Sequence, residues 1–430
     1  MDEKRMLAKL QRHSFQYFIN EADPHTGLIA DKTQPGAASS ITATGMGLTA
    51  YIIGVERKYL SRKKAISRVL TILRFFYNSE QGKHPDASGY KGFYYHFLNM
   101  KTGRRDQVCE LSTIDTALFI AGVLAVGVYF TKNNPEEAEI RELSDKLYRR
   151  VNWKWALGRQ NTICHGWKPG SGFLPNRWDK NYSEAIILYI LALGSPTFPI
   201  SAEGYLKWAS SFELTKAYGV DYLYAGPLFI HQFSHLWIDF RNIHDAFNRK
   251  TGFDYFENSS RATQVHRQYA IENHHNFEHY NQYCWGLTAS NGPGRKQLKV
   301  NGRKIKFYDY ISRGVPYGPD DGTISPSAVI ASLPFAPAIV IDTIQHAVKK
   351  SKAKSQEVFD LTANFNPAHP VNNNGAKGWV SPWKFGLNQG PVVIMIENYQ
   401  SELIWKLMKH SPYIRAGLER AGFTGGWLGE

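Results

Sequence analysis

The chain of 430 residues has little cysteine and no apolar segment with the character of a membrane span. Its three cysteines, Cys109, Cys164 and Cys284, lie far apart in no CxxC pattern, which argues against a disulfide framework and a thiolate metal site. The opening residues, MDEKRMLAKL, lack the apolar core of a secretory signal. The longest apolar run, 114–130, contains Asp115 and two glycines, so we expect a buried helix there and no membrane span.

The chain also lacks an internal repeat and a low-complexity linker, so we predict one domain over residues 1–430. Apolar residues make up 43% of the sequence and charged residues 20%, which is typical of a globular protein with a sizeable core. Acidic residues are comparatively few, because 37 Asp and Glu stand against 51 Lys and Arg. The basic residues are scattered or lie near predicted helix ends, as at 62–64 and 349–352, and no nucleic-acid motif accompanies them, so we expect no nucleic-acid partner.

A succession of helical patterns dominates the rest of the sequence. The even-numbered segments are the more apolar ones, as ITATGMGLTAYIIGV and AIILYILALG illustrate, whereas odd-numbered segments such as EEAEIRELSDKLYRRV carry the charges. This alternation predicts an all-α fold, an (α/α)6 toroid of six helical hairpins with an inner and an outer ring. The twelve segments lie near 4–21, 41–58, 62–78, 112–131, 135–153, 182–193, 200–211, 229–243, 258–273, 325–333, 335–350 and 392–408.

One segment departs from the helical pattern. Residues 297–308, QLKVNGRKIKFY, alternate apolar and polar side chains around Asn301 and Gly302, and this dipeptide is the strongest short hairpin signal. We therefore expect a short β-ribbon inserted beside the helices.

Polar and aromatic residues cluster at the starts of the predicted inner helices. In an alternating ring these starts gather on one face, so residues far apart in sequence would line one pocket. Capping explains polar residues at helix starts, but it does not explain the Trp, Tyr and His among them. The segments are DQVCELSTIDT, WDKNYSEA, GPLFIHQFSH, YGPDDGTISP and NQGPVVIMIEN.

A saccharide is the ligand that these residue types suit. Tyr280, Trp285 and Asn291 lie in YNQYCWGLTASNGPG, where aromatic rings can stack on a pyranose and amides can bind its hydroxyls. Asp320 and Asp321 stand just before another inner helix. The alternative for these residues is a structural loop with a buried Trp and aspartates that only cap a helix.

With these motifs in view, the chain resembles the glucoamylase-like (α/α)6 proteins of glycoside hydrolase family 144, which contains bacterial endo-β-1,2-glucanases. The resemblance implies cleavage of β-1,2-glucans such as sophorooligosaccharides, by inversion and without a metal or other cofactor. Asn291 and Asn388 stand where the family often has Asp, which leaves the substrate length and the mode of cleavage open. The motifs that carry the resemblance are, in order, ELSTIDTAL, YSEAIILYILALGSPT, PLFIHQFSHLWIDFRN, WGLTASNGPG, YGPDDGTISP, GLNQGPVVIMIEN and AGFTGGWL.

Inverting hydrolysis of a glycosidic bond requires one carboxylic acid to protonate the leaving oxygen and a second carboxylate to activate water. Asp115 and Glu184 lie at the starts of inner helices, so we predict them as the catalytic pair, with Asp321 as a third candidate. The alternative for each is an acid in a buried hydrogen-bond network. The residues expected to bind substrate are Glu110, Tyr182, His231, Gln232, Tyr280, Trp285, Asn291 and Asp320, whose alternative role is core packing.

Two other kinds of chemistry have little support. His231 and His235 have the spacing of an HExxH motif, but Gln232 replaces the glutamate, so we predict no metal site. No serine stands in a GxSxG elbow, so nucleophilic serine chemistry is not expected.

Two other functions remain compatible with the saccharide motifs. A transglycosylase on the same glucan would pass the glycosyl group to an acceptor sugar instead of water. The two asparagines in place of aspartates leave a non-catalytic glycan-binding protein open as well. We expect an oligo- or polysaccharide partner and a monomer. The resemblance suggests a periplasmic or secreted bacterial protein if a signal was removed, and otherwise a cytoplasmic one.

Overall fold

Helices are the main regular element of the structure, a computed structural model that describes residues 2–300, 302–353, 362–370 and 378–429. Many of them begin at a Ser, Asp or Asn cap, such as Ser112, whose hydroxyl accepts a hydrogen bond from the Asp115 amide. In chain order the α-helices are Glu3–Asn20 (α1), Ile41–Glu56 (α2), Arg62–Asn78 (α3), Thr113–Tyr129 (α4), Pro135–Arg150 (α5), Trp153–Ala156 (α6), Ile186–Gly194 (α7), Ala202–Ala209 (α8), Ala246–Thr251 (α9), Tyr255–Glu272 (α10), Pro326–Ala331 (α11), Pro337–Ala353 (α12), Gly386–Ser401 (α13), Leu403–Lys409 (α14) and Pro412–Arg420 (α15).

The long helices alternate along the chain between an outer and an inner ring. Helices α1, α3, α5, α8, α10 and α12 bury only one side. Helices α2, α4, α11 and α13 are buried on almost every side, and all nine residues of α7 are buried. The predicted all-α (α/α)6 toroid is therefore confirmed. The prediction of one domain for residues 1–430 remains a prediction.

The inner ring depends on close packing between neighbouring helices. Helix α2 packs between α4 and α13, and α1 covers α13 from outside. Helices α2 and α4 cross at Gly45 and Gly122, where a Cβ atom on Gly122 would lie 2.0 Å from the Gly45 carbonyl oxygen. Glycine is required at this crossing because any side chain would force the two helices apart.

The predicted helix at 229–243 is wrong. Two 3₁₀ turns, Leu228–His231 and Ser234–Leu236, occupy this inner position. The Ser234 hydroxyl donates to the Glu184 carbonyl oxygen at 2.9 Å, so a polar side chain of this segment bonds to a neighbouring element. Such bonds compete with regular helical pairing, which the apolar spacing alone does not reveal.

The predicted helix at 392–408 is also two helices in the structure. Helices α13 and α14 meet at Glu402, whose φ of 60° lies in the left-handed region and ends α13.

Short β-strands frame the inner-helix starts. Strands β11 and β12 form the predicted ribbon near 297–308, and of its turn residues Asn301 lies outside the described residues. A five-stranded sheet in the order β2-β3-β5-β6-β7 was not predicted, because strands of two or three residues show no alternating pattern. The strands are Ser39–Ser40 (β1), Gly89–Tyr90 (β2), Phe93–Tyr95 (β3), Phe97–Leu98 (β4), Leu111–Ser112 (β5), Gly166–Lys168 (β6), Gly172–Phe173 (β7), Leu214–Ala217 (β8), Val220–Leu223 (β9), Ala289–Ser290 (β10), Lys296–Val300 (β11), Arg303–Phe307 (β12), Ile311–Ser312 (β13), Phe365–Asn366 (β14) and Trp379–Val380 (β15).

Within the described part of the chain, no helix combines the length and the hydrophobicity needed to cross a bilayer.

Candidate active site

A cavity of about 560 Å³ opens where the starts of the inner helices converge. Ser327 at the start of α11 and Leu387 at the start of α13 line it, together with Phe233 from the 3₁₀ segment. Loops from outside the ring complete the wall, including Asp31 between α1 and α2 and Tyr310 between β12 and β13. Residues from distant parts of the sequence thus meet on one face, as the order of the polar segments predicts.

Glu184 stands two residues before α7, beside the cavity but outside its lining, where its charge acts on the cavity residue Tyr310. Its side chain is only partly accessible, and its carbonyl oxygen is held by the Ser234 hydroxyl. Burial raises the pKa of Glu184 to about 7, and the negative charge of Asp115 adds to the shift. At neutral pH a large fraction of this carboxyl is therefore protonated, unlike an ordinary glutamate.

Asp115 lies in the first turn of α4 and is held from two sides. The Ser112 hydroxyl donates to its Oδ2 at 2.5 Å, and the Thr42 hydroxyl donates from α2 to its Oδ1 at 2.6 Å. The carboxylate is largely buried but not closed off, with 11% of its side chain exposed. The position of the carboxylate is therefore fixed by the cap of its own helix, α4, and by the neighbouring inner helix α2.

His96 lies between two of the predicted acids. Its Nδ1 is 3.1 Å from Glu110 Oε1, and its Nε2 is 3.7 Å from Asp115 Oδ1. Burial opposes the charged ring, but Asp115, Glu110 and Asp31 together raise the pKa of His96 to about 9. The hydrogen bond from His96 lowers the pKa of Glu110 to about 2, against the effect of burial. His96 is thus an imidazolium that organises the acids of the cavity.

Among the described residues, His96, Glu110 and Asp115 are the one group whose ligand atoms lie close enough to hold a metal ion, within 4.8 Å of one another. At a pKa of about 9 the His96 ring is charged at neutral pH and faces both carboxylates, Glu110 at 3.1 Å and Asp115 at 3.7 Å. The charges are already paired, so the geometry is that of an ion-pair network.

Like His96, Asp31 and Tyr310 line the cavity and were not predicted from the sequence. Asp31 lines the cavity, and burial raises its pKa. Tyr310 is 55% exposed, and its ring projects from the segment that follows the β-ribbon. Although the ring is exposed, its hydroxyl is surrounded by the cavity, so desolvation there and then the charges of Asp31, Asp115 and Glu184 raise the pKa of Tyr310. Neither residue stands at a helix start, which is the signal that identified the other candidates.

Amide side chains form another part of the cavity wall. Asn364 Nδ2 donates to Asn291 Oδ1 at 2.6 Å, and Asn291 Nδ2 donates to Ser381 Oγ at 2.8 Å. Gln232 also lines the cavity, although its amide donates to the Ala328 carbonyl oxygen at 2.7 Å. These bonds hold the three amides in fixed orientations at the cavity wall.

The structure places Trp285 and Tyr280 in a hydrophobic cluster that includes Tyr269 and Ile344, with Asp320 beside it, and none of the three in the cavity wall. The Trp285 indole is 1% exposed and donates to Thr343 Oγ1 at 3.0 Å. Asp320 accepts from the hydroxyls of Tyr280 and Tyr269 at 2.7 and 2.8 Å. These residues are therefore packed in the protein interior, which is the alternative role for them.

Asp321, Tyr182 and His231 are also buried outside the cavity wall. Asp321 is paired with Arg313, and the Tyr182 ring is parallel to that of Tyr255 at 5.8 Å. Burial lowers the pKa of His231 to about 4, so the ring is neutral and bonds to a carbonyl oxygen.

Comparison with known proteins adds to this geometry. Residues 176–412 match the model of the Glycoamylase family, described as "Putative glucoamylase". The chain is 27% identical over 462 residues to the exo β-1,2-glucooligosaccharide sophorohydrolase (non-reducing end) of Parabacteroides distasonis, an alignment that covers 98% of the chain and 58% of that protein. The chain thus spans less than two thirds of this relative.

Solved structures show the same similarity. The endo-β-1,2-glucanase from Chitinophaga pinensis matches with a TM-score of 0.85 at 26% identity, and the alignment covers 100% of both chains. The β-1,2-glucanase from Parabacteroides distasonis matches with a TM-score of 0.83 at 25% identity, covering 98% of this chain and 60% of that one.

Proposed function

Because the chain belongs to the Glycoamylase family, we propose that it is a glycoside hydrolase that cleaves β-1,2-linked glucans. The relatives from Chitinophaga pinensis and Parabacteroides distasonis act on such glucans by name. The observation that carries the proposal is Glu184, a carboxyl with a pKa raised to about 7, near Asp115 and the cavity. We also infer that residues 1–430 act as one domain and as a monomer.

Glu184 is the general acid of the proposed reaction. A general acid must hold its proton at the working pH and still release it readily to the substrate. A pKa near 7 meets both requirements at neutral pH. Glu184 would donate its proton to the glycosidic oxygen as the bond to the anomeric carbon breaks. The negative charge of Asp115 supports this role, because it helps to keep the proton on Glu184.

Asp115 is the general base that takes a proton from the attacking water. In an inverting glycosidase the two carboxyl groups lie on opposite sides of the sugar, roughly 6.5–9.5 Å apart, so that water fits between base and sugar. The hydroxyls of Ser112 and Thr42 hold Asp115 in one orientation, which favours accurate placement of that water.

Asp31 is the second candidate for the base. Its carboxyl lines the cavity directly, whereas Asp115 lies behind His96. Burial also raises the pKa of Asp31, which makes its carboxylate a stronger base than an ordinary aspartate. The turnover of Asp115→Asn and Asp31→Asn variants separates these two possibilities.

The remaining cavity residues suit a neutral sugar chain. Tyr310, Phe229 and Phe233 offer aromatic rings for the apolar faces of glucose, and Asn291 offers an amide for its hydroxyls.

A product profile on linear β-1,2-glucan, compared with β-1,3-, β-1,4- and α-1,4-glucans, tests the proposal. We expect sophorooligosaccharides from the β-1,2-glucan alone, with the new reducing end first released as the α-anomer in the NMR spectrum. Products of the β-anomer would contradict inversion. Oligomers that grow longer with time would indicate a transglycosylase, and binding without release of reducing sugar would indicate a glycan-binding protein.

A further inference from the structure

The β-ribbon carries an unbalanced positive charge beside the cavity. Lys299 lies directly opposite Lys304 across the two strands, and Lys306 lies on the same side, opposite Gln297. All three lysines are exposed. We call this side of the ribbon the lysine face. Like charges in directly opposed positions destabilise a strand pair, so this arrangement is unfavourable for the isolated ribbon.

No carboxylate of the described residues forms an ion pair with the lysine face. Lys306 instead lies over the Tyr308 ring, with Nζ 5.3 Å from the ring centroid. The other side of the ribbon is turned to the protein, where Ile305 is half-buried and Phe307 is fully buried. The lysines are therefore held together on an outward surface.

The ribbon is also anchored and connected to the cavity. The Arg303 guanidinium donates to the His275 carbonyl oxygen at 2.6 Å, which ties the ribbon to the loop after α10. Strand β12 leads within three residues to Asp309 and Tyr310, which line the cavity. A chain molecule that leaves the cavity past Tyr310 would reach the ribbon.

We propose that the lysine face binds anionic substituents, phosphate or carboxylate groups, on a glucan chain whose backbone occupies the cavity. This inference rests on the proposed function. A membrane surface fits less well, because the lysine face has no apolar side chain to insert between lipids. A single-stranded nucleic acid fits less well too, because this face lacks the row of aromatic rings on which bases stack.

The test compares β-1,2-glucans of equal chain length that are unmodified, succinylated or phosphorylated. Initial rates are measured at about 10 mM and about 300 mM salt, since screening is weak at the first concentration and strong at the second. For the wild type we expect a KM roughly tenfold lower on both charged glucans at low salt, from three exposed contacts of modest strength each. This advantage should disappear at high salt.

The decisive variant is Lys299→Gln/Lys304→Gln/Lys306→Gln. It should lose the low-salt advantage on the charged glucans while keeping kcat and KM on the unmodified glucan. Its melting temperature should not fall, because the substitution removes repulsion between Lys299 and Lys304. A control with the same change in charge is Lys63→Gln/Lys64→Gln/Lys207→Gln, which alters exposed lysines of the outer ring and should keep the advantage.

Several outcomes overturn the inference. They are a wild type without preference for charged glucans, a ribbon variant that keeps the preference, and a control variant that loses it equally. Binding to vesicles of anionic lipid without a preference among the glucans would assign the face to a membrane instead. A preference for only one charged glucan would support the site and identify its anion. Failure to cleave the unmodified glucan contradicts the proposed function itself, which separates the two failures.

Discussion

Arg313 and Asp321 form an ion pair in which both side chains are fully buried. Arg313 Nε and Nη2 donate to the two oxygens of Asp321, each at 2.8 Å. Burial opposes ionisation of the carboxyl, but the guanidinium lowers the pKa of Asp321. This pair therefore joins the segment after the ribbon to the segment before α11, and it takes up both oxygens of a predicted catalytic acid.

We predict that Asp321→Asn destabilises the protein without a direct effect on catalysis. It leaves the guanidinium of Arg313 buried and unpaired, which costs about 3–5 kcal/mol. Thermal unfolding should show a lower melting temperature, while turnover per folded molecule on β-1,2-glucan is retained. A variant with a normal melting temperature and no turnover would instead return Asp321 to the catalytic residues.

Glu184→Gln should strongly reduce turnover without loss of binding. The amide keeps the shape of the side chain but has no proton to donate, so we expect kcat to fall roughly 10²- to 10⁴-fold. The loss should be much smaller on an aryl β-sophoroside, whose leaving group needs no proton. A matched control is Glu397→Gln, which removes a buried carboxylate that pairs with Arg57. It should lower the melting temperature and leave turnover per folded molecule unchanged, whereas full activity of Glu184→Gln would contradict the proposal.

The pH dependence of the reaction should follow the pKa of Glu184. The acid is active in its protonated form, so kcat/KM should fall as the pH rises above about 7. Since the charge of Asp115 contributes to the raised pKa, Asp115→Asn should move this alkaline limit to lower pH in any residual activity. An alkaline limit that Asp115→Asn leaves in place would contradict the coupling.

The same pKa has a consequence for stability. The pKa of Glu184 is higher in the folded state than its ordinary value of 4.5, so the folded state binds this proton more tightly. The contribution to stability is complete below about pH 4.5 and is lost as the pH rises to about 7. Glu184→Gln should therefore raise the melting temperature relative to the wild type at pH 8 more than at pH 5. Equal differences at both pH values would contradict the raised pKa.

The toroid and the shared face were predictable because they depend on patterns that repeat along the chain. Wholly apolar segments such as α7 have no stable position except inside a ring of other helices, and the starts of such helices meet by symmetry. The segment Leu228–Leu236 has the same apolar character but forms 3₁₀ turns, because its polar side chains bond to neighbouring elements that the sequence does not reveal.

Residues in or beside the cavity were predictable where they stand at helix starts or in the loop rich in amides and aromatic rings. Glu184 and Asp115, which lie beside the cavity, stand at helix starts, and Asn291 lies in that loop, whereas Asp31 and Tyr310 lie in other loops whose course depends on tertiary packing. Trp285 is a residue type that often stacks on sugars, but its ring is packed in the hydrophobic cluster that includes Tyr269 and Ile344. An aromatic ring in a polar loop is equally suited to a sugar-binding site and to the hydrophobic core. Its burial therefore cannot be inferred from the residue type.

The choice of base can be tested with Asp115→Asn and Asp31→Asn. The variant that lacks the base should lose turnover on both β-1,2-glucan and an aryl β-sophoroside, because a good leaving group does not replace activation of water. We expect this result for Asp115→Asn, with a loss of roughly 10²-fold or more, and a smaller loss for Asp31→Asn. The reverse order would assign the base to Asp31. Melting temperatures of both variants control for misfolding.

Tyr310 should contribute to substrate binding through its ring. The ring is 55% exposed within reach of the charges of Asp31, Asp115 and Glu184, so a glucose unit at the cleaved bond would contact it. Stacking of an aromatic ring on an apolar sugar face contributes about 0.5–1.5 kcal/mol by analogy with aromatic pairs, so Tyr310→Ala should raise KM roughly three- to tenfold. Tyr310→Phe keeps the ring and should preserve KM, and a rise in KM equal to that of Tyr310→Ala would show that the hydroxyl is the contact. A matched control is Tyr317→Ala, which removes an exposed ring outside the cavity lining and should change neither kcat nor KM.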